Sequence, residues 1–376
     1  MKTITFHCKV ISPLFLGGAY SEQAELRPPS IKGALRFWAR AIAKHWIWED
    51  EKENHKKLLQ YDEELFGGVK MHQKKSLVSV EIRHGSLDSY TINGGSLNRF
   101  GEGLKYLLYS LAVHNKDKEG IKTEFPFDVT LRSKDQAALN KAIAAFWVLT
   151  YFGALGTRAR RGAGAFEVVG CDGFELPGGI SFRPGNNLAS FLKDGLQTAS
   201  KIFAVPPKAR SPKGYSILGQ KIWVSKKVHR DWDSALEEIG RLMFNYRQPK
   251  RPGPRYSDEE PRFTQQTLDQ KAAFGLPVSV RNEKENTVNF KPDQKGDDSS
   301  YDRRASPLWI SLAHSSSGIH WIVTELEGDF MDRQSSIFFK NKKGRQFTWP
   351  KEDDTALKEF LQLVGKYAMP VFQIKQ

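Results

Sequence analysis

Between residues 153 and 164 the chain sets Gly153, Gly156, Gly162 and Gly164 around Arg158, Arg160 and Arg161. Glycine lets the backbone come close to an anion and turn its N–H groups toward it, and guanidinium groups add charge and two-pronged phosphate contacts. The segment follows a helical pattern and precedes a strand, and no Gly-Lys-Ser/Thr closes it. It is therefore neither a Walker A loop nor a dinucleotide-binding turn. A plain basic helix-to-strand loop is the alternative to a phosphate site.

A second basic feature lies upstream. Lys32, Arg36, Arg40 and Lys44 recur every four residues, while Ile31, Leu35, Trp38, Ala39, Ile42 and Trp46 fall on the other face of the same predicted helix. Like charges at this spacing oppose one another by about 0.2–0.5 kcal/mol per pair. No acidic residue lies between Glu25 and Glu49. A polyanion lying along the row would relieve the repulsion; a solvated surface face is the alternative. Pro28 and Pro29 place the helix start, with Ser30 as the expected N-cap. Gly33 in the first turn costs helix stability unless something approaches the backbone, and a phosphate would use it with Lys32 and the free N–H groups. Phe37 and Trp48 flank the stripe, positioned to stack on bases, whereas Trp38 and Trp46 turn toward the core.

Signals for catalysis are weaker. The histidines are scattered, without metal-ligand spacing or a His-Asp pair, and Cys8 and Cys171 make neither a disulfide framework nor a metal site. No catalytic residue, metal or cofactor is expected. An endoribonuclease would need a general acid, for which His45 and His55, the histidines near the anion site, and Tyr20 are the candidates.

Composition bounds the partner. The 376 residues carry a formal net charge of +14 and 12% aromatics, the two ingredients of single-stranded nucleic-acid sites. A pI near 9.5 and a mean hydropathy of −0.51 fit a soluble protein. Met1 leads directly into a strand pattern with no signal-peptide core, and no run is long enough to span a membrane, so a cytoplasmic protein is expected.

The elements that must position these residues follow from periodicity. Strands are predicted over residues 3–10, 78–82, 127–131 and 166–168, with helices from Pro28 to about Trp48 and from a Ser133/Gln136 capping box to Phe152. The order β-α-β-β-α-β is the ferredoxin-like (RRM-like) arrangement, an antiparallel sheet with helices on one face. Residues 49–57 read as an exposed charge cluster, 65–68 as a turn, and 84–124 as an insertion in which Leu104 to Leu111 fit helix or strand. A Gly/Pro-bearing connector after Gly170 divides an N-terminal unit, 1–171, from a second α+β unit, 172–376. The second unit has helices at 188–203, 232–246 and 355–364, a hairpin around residues 315–318, an edge strand near Val371, and mobile loops at 249–261 and 282–301.

The strand, the motif Pro28-Pro-Ser-Ile-Lys-Gly-Ala-Leu-Arg-Phe-Trp-Ala-Arg40 and the Gly153–Gly164 loop together resemble the RAMP proteins of CRISPR systems. Within them, the helix motif is most similar to the first subunit of the Cmr (type III-B) effector, although Ala39 stands where a further aromatic is usual. Gly275-Leu-Pro277 and Arg303-Arg-Ala-Ser-Pro-Leu308 add weaker likeness. The resemblance implies tandem ferredoxin-like domains in a subunit, itself without nuclease activity, that holds CRISPR RNA and/or single-stranded target RNA toward the guide 3′ end, beside other Cmr subunits. It carries RNA contacts onto Lys32, Arg36, Arg40 and the Gly153–Gly164 loop, and more weakly onto Arg303 and Arg304. A metal-independent CRISPR repeat endoribonuclease of the RAMP type and a purely structural scaffold are the alternatives.

Overall fold

The computed structural model describes residues 1–43, 51–68, 75–204, 216–247, 273–275, 278–280, 288–292, 305–328, 337–340, 346–349 and 355–373. It is a mixed structure of helices and antiparallel sheets. β1 (Lys2–Val10) alternates as expected, burying Ile4, Phe6, Cys8 and Val10. It lies between β5 (Pro126–Ser133) and β6 (Phe166–Gly173), antiparallel to both, and β2 (Val78–His84) pairs outside β5, giving the order β2-β5-β1-β6. The buried side of this sheet meets α1 (Pro28–Ala43) and α4 (Gln136–Phe152).

α4 is buried on nearly every side because it is covered twice. Its other side meets a second sheet, where the Ser311 hydroxyl donates to the Tyr151 carbonyl at 2.6 Å. That sheet comprises β7 (Ile217–Ser225), β10 (Leu308–Ser315), β11 (Gly318–Glu327) and β14 (Ala368–Pro370) in the order β10-β11-β7-β14. Its Ile222, Val224, Trp309 and Ile322 join the first core, while Trp223, Ile310, Trp321 and Val323 join a second core with α6 (Trp232–Arg247) and α7 (Thr355–Tyr367). The layers thus run sheet, helices, sheet, helices, with strand alternation feeding opposite cores.

Several local expectations change. α1 begins at Pro28, so Ser30 sits inside the first turn and is not its N-cap. The cap of α4 is Asp135, whose carboxylate accepts from the Ala138 N–H at 3.1 Å, while Ser133 accepts from the Asp135 N–H. The region predicted as charge cluster and turn contains α2 (Glu51–Phe66), which buries Leu58, Asp62, Leu65 and Phe66. The helical reading of Leu104 to Leu111 is the one observed in part. α3 (Glu102–Leu107) and the turn after it bury Leu104, Leu107, Leu108 and Leu111. The insertion also carries a ribbon of β3 (Thr91–Asn93) with β4 (Glu119–Ile121). β7 went unpredicted. α5 (Leu188–Ile202) packs its leucines into the first core, with Gly195 directly against the Trp147 ring.

A third sheet holds β8 (Val278–Val280), β9 (Val288–Pro292), β12 (Ile337–Lys340) and β13 (Gln346–Trp349). Residues 288–292 of the expected loop 282–301 are therefore strand. The rest of that loop and residues 249–261 lie outside the described residues.

Candidate nucleic-acid interface

α1 presents its basic row toward α2, and the two helices are stapled through one carboxylate. Asp62, 3% exposed, accepts from Arg36 Nε at 3.0 Å, Arg36 Nη2 at 2.7 Å and Arg40 Nη1 at 3.1 Å, all on Oδ2. Arg36 Nη1 donates to the Gly67 carbonyl at 2.9 Å. The acid missing from the linear neighbourhood of the stripe is thus supplied by α2, and it relieves the repulsion at Arg36 and Arg40 without an external polyanion. Asp62 Oδ1 stays buried with no hydrogen-bond partner.

Lys32, one turn earlier, makes no ion pair among the described residues. Burial first, and the Arg36 charge second, hold its ammonium below the usual lysine range. It faces an open cleft of about 500 Å³ lined by Pro29, Lys32, Gly33, Arg36, Phe66, Gly67 and Ser76. Among the described residues, Gly33 opens directly on space: a Cβ there would meet none of them within 4 Å. The expected free N–H groups are mostly missing, because Pro28 and Pro29 have none and the Ser30 N–H is given to the Arg27 carbonyl at 3.2 Å. An anion here would be met by the Lys32 ammonium and the outer faces of the guanidinium groups, in a site made net positive by three cations around one acid.

The Gly153–Gly164 loop has a different surrounding. A Cβ on Gly153 would strike Trp38, on Gly156 the Phe15 carbonyl, on Gly162 the Leu236 side chain, and on Gly164 the Leu155 carbonyl. Gly156, Gly162 and Gly164 have φ of +81°, +88° and +75°, a backbone that side-chain-bearing residues rarely adopt. These glycines admit protein atoms, so the loop is a packed junction and not the open cradle expected of it. It ties the first unit to the second. The Ile310 N–H donates to the Arg160 carbonyl at 3.2 Å, and Arg161 bridges to Ile310 in parallel.

The loop arginines are likewise engaged. Arg158 donates to the Ser110 hydroxyl. Arg160 donates to the Ser306 carbonyl and lies over the rings of Trp309 at 4.9 Å and Phe37 at 5.7 Å. Arg161 donates to the Phe274 carbonyl at 3.2 Å and the Met243 sulfur at 3.5 Å. Burial lowers all three guanidinium pKa values, to about 10 for Arg160 and, with help from Arg247, about 9 for Arg161. All remain cationic at neutral pH. Phe37 is not a free stacking platform: Trp309 at 5.5 Å, Trp38 at 5.2 Å and Arg160 surround it.

The two basic features do meet. Phe37 follows Gly33 by one turn of α1 and touches Arg160, so a surface leads from the Lys32 cleft to the junction. Lys44, His45, Trp46, Trp48, Arg303 and Arg304 lie outside the described residues, as does the side chain of His55. Asp62, Gly67, Ser76 and Trp309 complete the geometry and were missed from sequence. Leu58, Tyr61, Asp62 and Leu65 at helical spacing were the available signal for α2; no local pattern pairs Asp62 with Arg36.

Residues 7–167 of the chain match the RAMP superfamily. More particularly, it is similar to two curated subunits of the Pyrococcus furiosus CRISPR system. It is 28% identical to Cmr subunit Cmr1-2 over 43% of this chain and 93% of that one. It is 29% identical to Cmr subunit Cmr1-1 over 39% of this chain and 42% of that one. In fold, it matches the crystal structure of apo Cmr1 from Pyrococcus furiosus with a TM-score of 0.64 at 19% identity, covering 97% of each chain. A chain of a type III-B Cmr-beta complex bound to cognate target RNA matches with a TM-score of 0.56 at 14% identity, covering 99% of this chain and 100% of that one.

Proposed function

We propose that the chain is an RNA-binding, non-catalytic RAMP subunit of a type III-B CRISPR (Cmr) effector, built from two ferredoxin-like units. The shared strand order of the two main sheets supports that description of the fold. The subunit holds guide or target RNA toward the guide 3′ end, in company with other Cmr subunits, and cuts neither. Lys32, Gly33 and Arg36 grip a phosphate in the cleft, with Arg40 behind them and the Arg160 edge of the glycine-rich loop extending the path.

The observation that carries the reading is Gly33. A helical glycine costs about 1 kcal/mol relative to alanine, and here no neighbour requires the missing side chain. Space kept open beside an ammonium with no acid partner among the described residues suits a polyanion passing close to the helix.

Fluorescence anisotropy with unrelated single-stranded RNAs across a salt series tests it. Lys32→Ala weakens binding to all sequences alike and lowers the salt slope by about 0.7, the loss of one phosphate contact on a single strand. Gly33→Glu, which fits the open space, abolishes binding while leaving thermal unfolding intact. Wild-type affinity in both variants places RNA elsewhere. A site-specific cut of repeat RNA in chelator, lost in His45→Ala, overturns the non-catalytic assignment.

A further inference from the structure

The insertion builds a second cleft, which the phosphate site does not use. It encloses about 590 Å³ between the 88–100 segment, the loop after β4 and the start of α6. Its chemistry differs from that of the Lys32 cleft. Tyr90 and Trp232 give it aromatic walls, Trp232 being held edge-on by Phe100 at 5.2 Å, and Arg99 lies over the Phe100 ring at 5.0 Å. Arg99 and Lys122 are exposed and make no ion pair among the described residues. The remaining polar groups include Asn93 and the carboxylate of Asp233 in the first turn of α6.

The walls are fixed. α3 approaches α6 so closely that an added methyl on Gly103 or Gly240 would run into the opposing backbone. Glu237 accepts the Leu104 N–H at 2.9 Å, and the Lys122 N–H is donated to the Tyr90 carbonyl at 2.7 Å. Among the described residues, the Lys122 ammonium donates only to the Ser89 carbonyl, at 3.4 Å. A preformed slot with aromatic sides, two cations at its rim that make no ion pair among the described residues, and one carboxylate matches a nucleotide: ring against ring, phosphates to the cations, and the acid accepting from an amino group on the base.

We propose that this cleft binds one base of single-stranded RNA and favours amino-bearing bases over uracil through Asp233. The RNA partner is taken from the preceding reading, but the two sites make separable claims. The Lys32 cleft supplies sequence-independent affinity, and this cleft supplies base preference.

The test measures the full-length protein's affinity for oligocytidylate, oligouridylate and free CMP. Wild type prefers oligocytidylate to oligouridylate by about 5- to 10-fold, within the range of one base contact. Asp233→Asn, whose amide also donates, levels the two while keeping oligouridylate binding. Arg99→Ala weakens both, and Lys32→Ala weakens both but keeps their ratio. Equal wild-type affinities, or a ratio unmoved by Asp233→Asn, overturn the base site and leave the phosphate site standing. Free CMP bound as tightly as the oligonucleotide overturns the RNA-strand assignment in favour of a mononucleotide site. Absence of binding to every oligonucleotide overturns both sites together.

Discussion

The Lys32 cleft and the Gly153–Gly164 loop look alike as sequence, glycine beside cation in each, yet their glycines do opposite work. No described residue comes within 4 Å of the side-chain position of Gly33, whereas Gly153, Gly156, Gly162 and Gly164 are filled to contact by Trp38, Phe15, Leu236 and Leu155. The cations divide in the same way. Lys32 makes no ion pair among the described residues, while Arg160 and Arg161 donate to the Ser306 and Phe274 carbonyls of the second unit. A glycine-and-arginine motif therefore marks close approach of something to backbone, and whether that something is an anion or the protein depends on the opposing surface.

The largest effect expected of this difference is on stability. Gly164→Val forces a branched side chain to φ +75° against the Leu155 carbonyl, and should cost about 3 kcal/mol or more, read as a large fall in denaturation midpoint. Near-wild-type stability would mean that the loop is looser than its contacts imply. Asp62→Ala comes next. It removes the acid shared by Arg36 and Arg40, whose side chains are 28% and 36% exposed. Solvent screening of these cations reduces the penalty of unpairing them to about 1–2 kcal/mol. The same variant tightens RNA binding if the freed guanidinium groups face the cleft.

Gly33→Ala reverses the sign. With open space and an ordinary helical backbone, it should gain about 0.4–1 kcal/mol, measured by chemical denaturation. A loss of stability would show that something does pack there, and would remove the main support for the RNA cleft.

The smallest effect concerns pH and lies on the outer face of the first sheet. His7 Nε2 meets Asp172 and Nδ1 meets Asp128, each at 2.8 Å, and the hydrogen bonds to Asp172 and then Asp128 raise its pKa. A histidine whose folded pKa is raised contributes stability that is full below its unfolded value near 6.5 and fades as pH climbs through the folded value. The gap in unfolding temperature between wild type and His7→Ala should therefore be wider at pH 6 than at pH 8.5. An equal gap at both values would show that the two carboxylates do not favour the charged imidazole.

Much of the first unit was legible in sequence because elements such as β1 and α1 keep one side wet. Ile4, Phe6, Cys8 and Val10 alternate against polar residues, and Ile31, Leu35, Trp38 and Ile42 recur at helical spacing, so periodicity alone identifies β1 and α1. β7 escaped because its two faces feed different cores, Leu218, Ile222 and Val224 one and Trp223 the other, so its apolar run shows no alternation with polar residues. α2 escaped because Asp62 and Glu63, both buried, read as surface in sequence, Asp62 until its two arginine partners are known.

What the sequence by itself determined is the inventory: a basic, aromatic-rich chain, the first unit's order of strands and helices, the RAMP-like motifs, and the residue types from which an anion site can be made. Only the tertiary structure decided which of those residues remain available. Periodicity is a property of neighbours in the chain, and it reports which face of an element is buried. Availability is a property of neighbours in space. Asp62 reaches Arg36 and Arg40 from a separate helix, and the second unit closes over the glycine loop, while no described residue closes over Gly33.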